Sequence, residues 1–353
     1  MPDPIPSEPA AVPPLPPAAF DYDLPPELIA QAPTERRDGA RLLALSRGDG
    51  AVRHRAITDL PELLSPGDLL VFNDTRVRPA RLFGRIESGG AVELLAVRAV
   101  AEGEWECLGR PARRLRPGTR IGLPAGGEAV VRARLAPGRY AVAFTGDVDE
   151  LLAQHGELPL PPYIRRPDGP LPIDAERYQT VFARRPAAVA APTAGLHFSP
   201  ALLEALAARG VAQAFVTLDV GPATFLPLRE DAVATLDGEW AEIPAATVAA
   251  MWRARDGGGR VVAVGTTTTR ALESAARRPG GLTAGSFWAD AFVRPGFRFG
   301  VVDALVTNFH LPRSTLLMLV AAFAGREPVL AAYAEAVRER YRFYSYGDAM
   351  LIA

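Results

Sequence analysis

The 353-residue chain contains no lysine, so every fixed positive charge is an arginine. This uniformity marks genome composition more than chemistry. Cysteine occurs once, at Cys107, which excludes an intramolecular disulfide and any zinc site built on a cysteine cluster. Four histidines (His54, His155, His197 and His310) show no H-E-x-x-H or similar spacing, and no metal is expected. No uncharged apolar run reaches the ~18–20 residues that span a bilayer. The longest, at 316–324, suits a buried helix. The sequence does not open on a basic stretch followed by an apolar one, so a secretory leader is not expected. A cytoplasmic protein without a membrane partner fits these absences. There is also no P-loop, no G-x-G-x-x-G, no G-x-S-x-G and no D-x-D pattern. The net charge of −1 gives no overall attraction for a polyanion. RNA phosphates would need local clusters. Arg110, Arg113, Arg114 and Arg116 form one cluster, and Arg165 and Arg166 another. Each by itself reads as a solvated loop.

What is present divides the chain into parts. Residues 1–18 are rich in proline and alanine and cannot form a core, which predicts a disordered tail. Prolines Pro25 and Pro26 sit in the first turn of a short helix expected at 24–29. Residues 41–46 and 69–72 read as strands. From 80 to 144 short β-rich runs recur at 81–86, 92–97, 105–108, 129–134 and 140–144, separated by glycine and proline turns. That spacing predicts a small barrel. Beyond 150 helical periodicity alternates with apolar strands, at 211–218 and 260–264, which predicts parallel strands. Helices are expected at 200–209, 245–254, 267–277, 314–323 and 327–340. The simplest architecture is a discontinuous α/β main domain at 19–75 and 151–353, with an inserted small β-barrel domain at 76–150.

Five segments carry polar groups where ligands bind. Val264-Gly265-Thr266-Thr267-Thr268-Thr269-Arg270 is a strand ending in glycine, then four hydroxyls, then a helix. Ligands of open α/β sheets bind outside the carboxyl ends of strands, near helix N-termini. One threonine would serve as a cap; four with Arg270 predict a site. In Ala190-Ala191-Pro192-Thr193-Ala194-Gly195-Leu196-His197-Phe198, Gly195 would let a ligand approach the backbone. His197 there is either a proton carrier or a structural histidine at a helix entry. In Asp303-Ala304-Leu305-Val306-Thr307-Asn308-Phe309-His310, Asn308 and His310 share a face if the strand persists. Phe72-Asn73-Asp74-Thr75-Arg76-Val77 lies at the domain junction. There Asp74 and Arg76 either meet substrate or pin an Asx-turn. Tyr341-Arg342-Phe343-Tyr344-Ser345-Tyr346 would stack on bases or simply dock the segment. The residues alone reach a two-domain α/β enzyme with a polar site at strand ends.

In that order the five segments resemble the signature blocks of the S-adenosylmethionine:tRNA ribosyltransferase-isomerase family of queuosine biosynthesis. Further matching blocks are Phe20-Asp21-Tyr22-Asp23-Leu24-Pro25, the stretch Leu-Pro-Leu-Pro-Pro-Tyr-Ile that contains Tyr163, and Arg177-Tyr178-Gln179-Thr180-Val181-Phe182-Ala183. The resemblance spans about 20–352. It implies transfer and isomerisation of the ribosyl part of S-adenosylmethionine to a 7-aminomethyl-7-deazaguanine at the tRNA wobble position. The product is an epoxycyclopentanediol; adenine and methionine leave. It implies no cofactor beyond S-adenosylmethionine, consumed as co-substrate. The partner would be the tRNA anticodon stem-loop, bound by a monomer or weak dimer. By motif match the catalytic candidates are His197, His310 and Asp290. The substrate-binding candidates are Asp74, Arg76, Tyr163, Thr193, Gly195, Thr266, Thr267, Thr268, Arg270 and Asn308. The chain also departs from the pattern. Asp219 stands where the family has histidine, Ala223 where it has glycine, and Ala234 and Asp237 fall in a block that usually carries two histidines. A paralogue that turns S-adenosylmethionine on a small-molecule acceptor is the alternative these departures raise.

Overall fold

The computed structural model describes residues 15–222 and 238–353. The expected tail lies almost wholly outside them, as do Ala223, Ala234 and Asp237. Pro17–Phe20 already forms a 3-10 turn that buries Phe20. An α/β body with a small β-barrel, the class expected from the sequence, is the fold observed.

The body is built on a nine-stranded sheet. Its centre is four parallel neighbours: Ala212–Leu218, Leu69–Asn73, Val261–Val264 and Ala304–Asn308. The last three are buried at every position, because helices cover both faces. This is why they read as unbroken apolar runs. Side chains alternate between two cores. Leu69 and Val71 enter one with the helices Thr266–Ala276 and Thr315–Ala324, while Leu70 and Phe72 enter the other with Pro200–Ala208. The sheet is only partly parallel. Ala349–Ile352 inserts antiparallel to Ala304–Asn308 and parallel to Arg41–Leu45, and Val52–Ala56 closes that edge antiparallel. At the other edge Glu239–Ile243 and Gly285–Ala289 add an antiparallel ladder.

The barrel closes in the order Arg139–Phe144, Glu104–Arg110, Ala91–Ala101, Arg81–Ile86, Arg120–Gly122, Glu128–Ala136. Arg120–Gly122 is the strand not read from the sequence. Leu82, Leu94, Cys107, Ile121, Val131 and Tyr140 fill the interior. The helix Val148–His155 packs Val148 and Leu152 against them. Two connections join barrel and body side by side, with Arg81 and Glu157 exchanging backbone hydrogen bonds of 3.1 and 2.8 Å. A Cβ on the adjacent Gly156 would lie 1.8 Å from the Pro79 carbonyl oxygen, so only glycine passes here.

Candidate active site

The central strands end on one side of the sheet, and two adjoining hollows open there. Gly265 holds φ at 95°, a left-handed value that glycine adopts without penalty. It turns the strand Val261–Val264 directly into the helix that starts at Thr266. Thr268 Oγ1 and Thr269 Oγ1 donate back to the carbonyls of Val264 and Gly265, at 2.8 and 3.1 Å. They serve the helix itself. Thr266 and Thr267 instead line a small hollow of about 50 Å³, together with Tyr163, Thr193, Asn308 and His310. Thr267 Oγ1 and Asn308 Oδ1 are buried there without a partner among the described residues. Buried polar atoms are rarely left so unless a ligand or water completes them.

Asn308 Nδ2 bonds the Tyr344 carbonyl oxygen at 3.0 Å and lies 3.1 Å from His197 Nε2. His197 therefore supports the hollow through Asn308 and does not line it. Burial pushes the His197 imidazole down to about 4, helped by the nearby Arg342 and Arg37 charges. Burial alone takes His310 down to about 3; its Nε2 is 2.9 Å from Thr307 Oγ1. Both rings are neutral at pH 7, because burial disfavours the protonated form. Tyr163 OH shares a 2.7 Å hydrogen bond with Ser345 Oγ. A Cβ on Gly195 would meet Thr180 Cγ2 at 2.9 Å and Phe182 Cζ at 3.0 Å, so packing by itself demands glycine there.

Leu316 also borders the second cavity, of about 580 Å³, between the barrel and the sheet edge. Arg98, Trp105, Glu106 and Arg139 form its barrel wall; Asp219, Glu239, Trp240, Arg270 and Trp288 form the opposite wall. Arg270 is here, ion-paired with Glu239, whose Oε1 accepts from the Gly221 amide at 2.7 Å. Burial raises the Asp219 carboxyl, and Arg185 and Arg78 partly offset this. Besides His197, Gly195 and Thr268, three expected residues line neither hollow. Asp74 is buried and accepts from Thr217 Oγ1 at 2.7 Å. Arg76 is exposed. Asp290, named by motif match as catalytic, is exposed at the sheet edge near Gly238. Among the described residues no three His, Cys, Asp or Glu side chains converge as a metal set.

The model of the queuosine biosynthesis protein family matches residues 18–352. The chain belongs to that family. An S-adenosylmethionine:tRNA ribosyltransferase-isomerase of Anaeromyxobacter sp. (strain Fw109-5) is 55% identical over 342 residues, 95% of this chain and 98% of that protein. Its namesake from Thermus thermophilus is 54% identical over 344 residues, 95% and 98% of the two chains. A crystal structure of an S-adenosylmethionine tRNA ribosyltransferase from Thermotoga maritima matches with 41% identity and a TM-score of 0.55, covering 95% of this chain and 100% of that one.

For this queuosine biosynthesis protein the residues that sequence reasoning missed are those of the second cavity. Asp219 was visible only as a departure from the family pattern, and Glu239 only as a neighbour of one. Trp105, Trp240 and Trp288 gave no local signal. Their convergence depends on the barrel and on an antiparallel edge ladder that the sequence does not announce.

Proposed function

We propose that this chain transfers and isomerises the ribosyl portion of S-adenosylmethionine onto 7-aminomethyl-7-deazaguanine in tRNA, releasing adenine and methionine and giving epoxyqueuosine. One observation carries the reading: polar strand ends meet a cavity at the barrel junction, in a chain that matches the family along nearly its whole length. In this reading S-adenosylmethionine is consumed, no metal or redox group takes part, and the enzyme works in the cytoplasm on the anticodon stem-loop.

The residues supply parts suited to this chemistry. The sulfonium acidifies the adjacent C5′ hydrogens, so a neutral base can start the elimination of adenine. His310, facing the small hollow, is the candidate acceptor. His197 positions Asn308. Thr267 Oγ1 and Asn308 Oδ1 are free to hold donor polar groups. Arg270 and Glu239, locked together, present a fixed dipole to the larger cavity.

The test incubates the protein with S-adenosylmethionine and an anticodon stem-loop RNA carrying the aminomethyl base. Adenine release with an equal mass gain on the RNA is expected. Adenine release without any gain on the RNA would point to a small-molecule acceptor and reject the reading.

A further inference from the structure

We propose that Trp240 and Trp288 form a platform on which a base splayed from the RNA loop stacks, while the barrel carries the flanking phosphates. The inference rests on the reading of the chain as an RNA-modifying enzyme and assigns the acceptor its place. Trp240 and Trp288 are direct partners across the antiparallel ladder Glu239–Ile243 and Gly285–Ala289. Their side chains leave the same face, and both line the cavity opposite the barrel. Trp288 remains 53% exposed, which marks a large apolar ring as an interaction surface when a second ring adjoins it. Each indole already has a guanidinium over it. Arg185 lies 3.9 Å from the Trp240 ring centre, and Arg98, from the barrel, lies 5.6 Å from that of Trp288. Aromatic faces with arginine beside them are how proteins hold unstacked bases of single-stranded RNA.

Charge selects RNA over the adenine of the donor as occupant. Residues 81–144 hold eleven arginines against six glutamates, with no aspartate, a surplus of five in a chain of net charge −1. Past Val189 and Pro222 the cavity continues into a groove of about 500 Å³ bordered by Arg81, Arg110 and Arg166 and by Glu93, Glu157 and Asp168. The groove itself is balanced in charge, so the attraction for a phosphodiester strand comes from the arginine surplus of the barrel as a whole; S-adenosylmethionine, which has no phosphate, does not draw on it.

The experiment uses the full chain with Trp288→Leu, Trp288→Tyr and Trp240→Leu. Binding of an anticodon stem-loop RNA carrying the aminomethyl base is measured by anisotropy, and binding of S-adenosylmethionine by calorimetry. Trp288→Leu should weaken RNA binding by about tenfold or more and leave the S-adenosylmethionine affinity unchanged. Trp288→Tyr should restore most of the RNA affinity. Three of the four tryptophans line this cavity, so RNA alone should quench indole emission and S-adenosylmethionine alone should not. Trp288 is exposed, so its variants fold whatever becomes of Trp240→Leu. Wild-type RNA affinity in Trp288→Leu overturns the proposal. So does quenching by S-adenosylmethionine alone accompanied by loss of its affinity in that variant. Neither result touches ribosyl transfer by the wild type, which tests the underlying reading separately.

Discussion

Burial keeps the His197 and His310 imidazoles neutral, pushed down to about 4 and about 3. In the unfolded chain an imidazole titrates near 6.5. As pH falls below that value the unfolded state takes up protons first, so native stability drops until the folded values are reached. Below pH 6.5 each histidine costs about 1.4 kcal/mol per pH unit. Urea melts at pH 7 and pH 5 should show this loss, and His310→Gln should shrink it. Thr267 offers a second test. Its hydroxyl is buried without a partner among the described residues, so Thr267→Val should leave stability unchanged or slightly higher. It should weaken S-adenosylmethionine binding by about 1 kcal/mol, read by calorimetry. At this scale the sequence was informative wherever a local pattern decides. Thr266, Thr267, Asn308 and His310 follow apolar strands and do face one hollow. Thr268 could not be told from Thr267, because one residue along a helix changes which way the hydroxyl points. Asp290 and Arg76 stand in family-like blocks, yet their placement depends on strands far away in sequence.

Elements bring these residues together through a few strained or costly joints. Gly265 turns strand into helix at φ 95°. A Cβ there has room, its nearest contact being Ala194 Cβ at 3.6 Å, so Gly265→Ala should cost backbone strain alone, about 1–3 kcal/mol in a denaturant melt. The Arg270–Glu239 pair anchors the edge ladder to that same helix. Arg270→Met would remove the counter-charge of a buried carboxylate and should destabilise by about 3–5 kcal/mol. Adding Glu239→Gln should recover part of the loss. The five longer helices expected beyond residue 199 were legible to within about two residues, because their apolar stripes and caps such as Ser199 and Ser314 are local. Val148–His155 and Pro172–Arg177 were not read, and the helix expected at 24–29 is a 3-10 turn at Pro26–Leu28. Glu239–Ile243 and Ala349–Ile352 were also not read; three other missed strands explain themselves. Val52–Ala56 is an edge whose middle three residues are exposed. Gly285–Ala289 buries only its last residue. Arg120–Gly122 is three residues long. None carries the alternation that announces a strand.

At the scale of the molecule, near-zero net charge conceals a basic barrel on an acidic body. RNA affinity should therefore fall at least about tenfold as salt rises from roughly 50 to roughly 200 mM, because displaced counterions scale with phosphate contacts. Binding of S-adenosylmethionine should hardly respond. Titrations at two ionic strengths separate the two. Total composition could not disclose this polarity; it emerged once the barrel strands were delimited.

The strand Ala349–Ile352 lies inside the sheet, flanked by Ala304–Asn308 and Arg41–Leu45, and all four of its residues are buried. Until that strand docks, the facing edges at Leu43 and Val306 have nothing between them to pair with, so the middle of the sheet zips shut only after segments about three hundred residues apart in the chain have met.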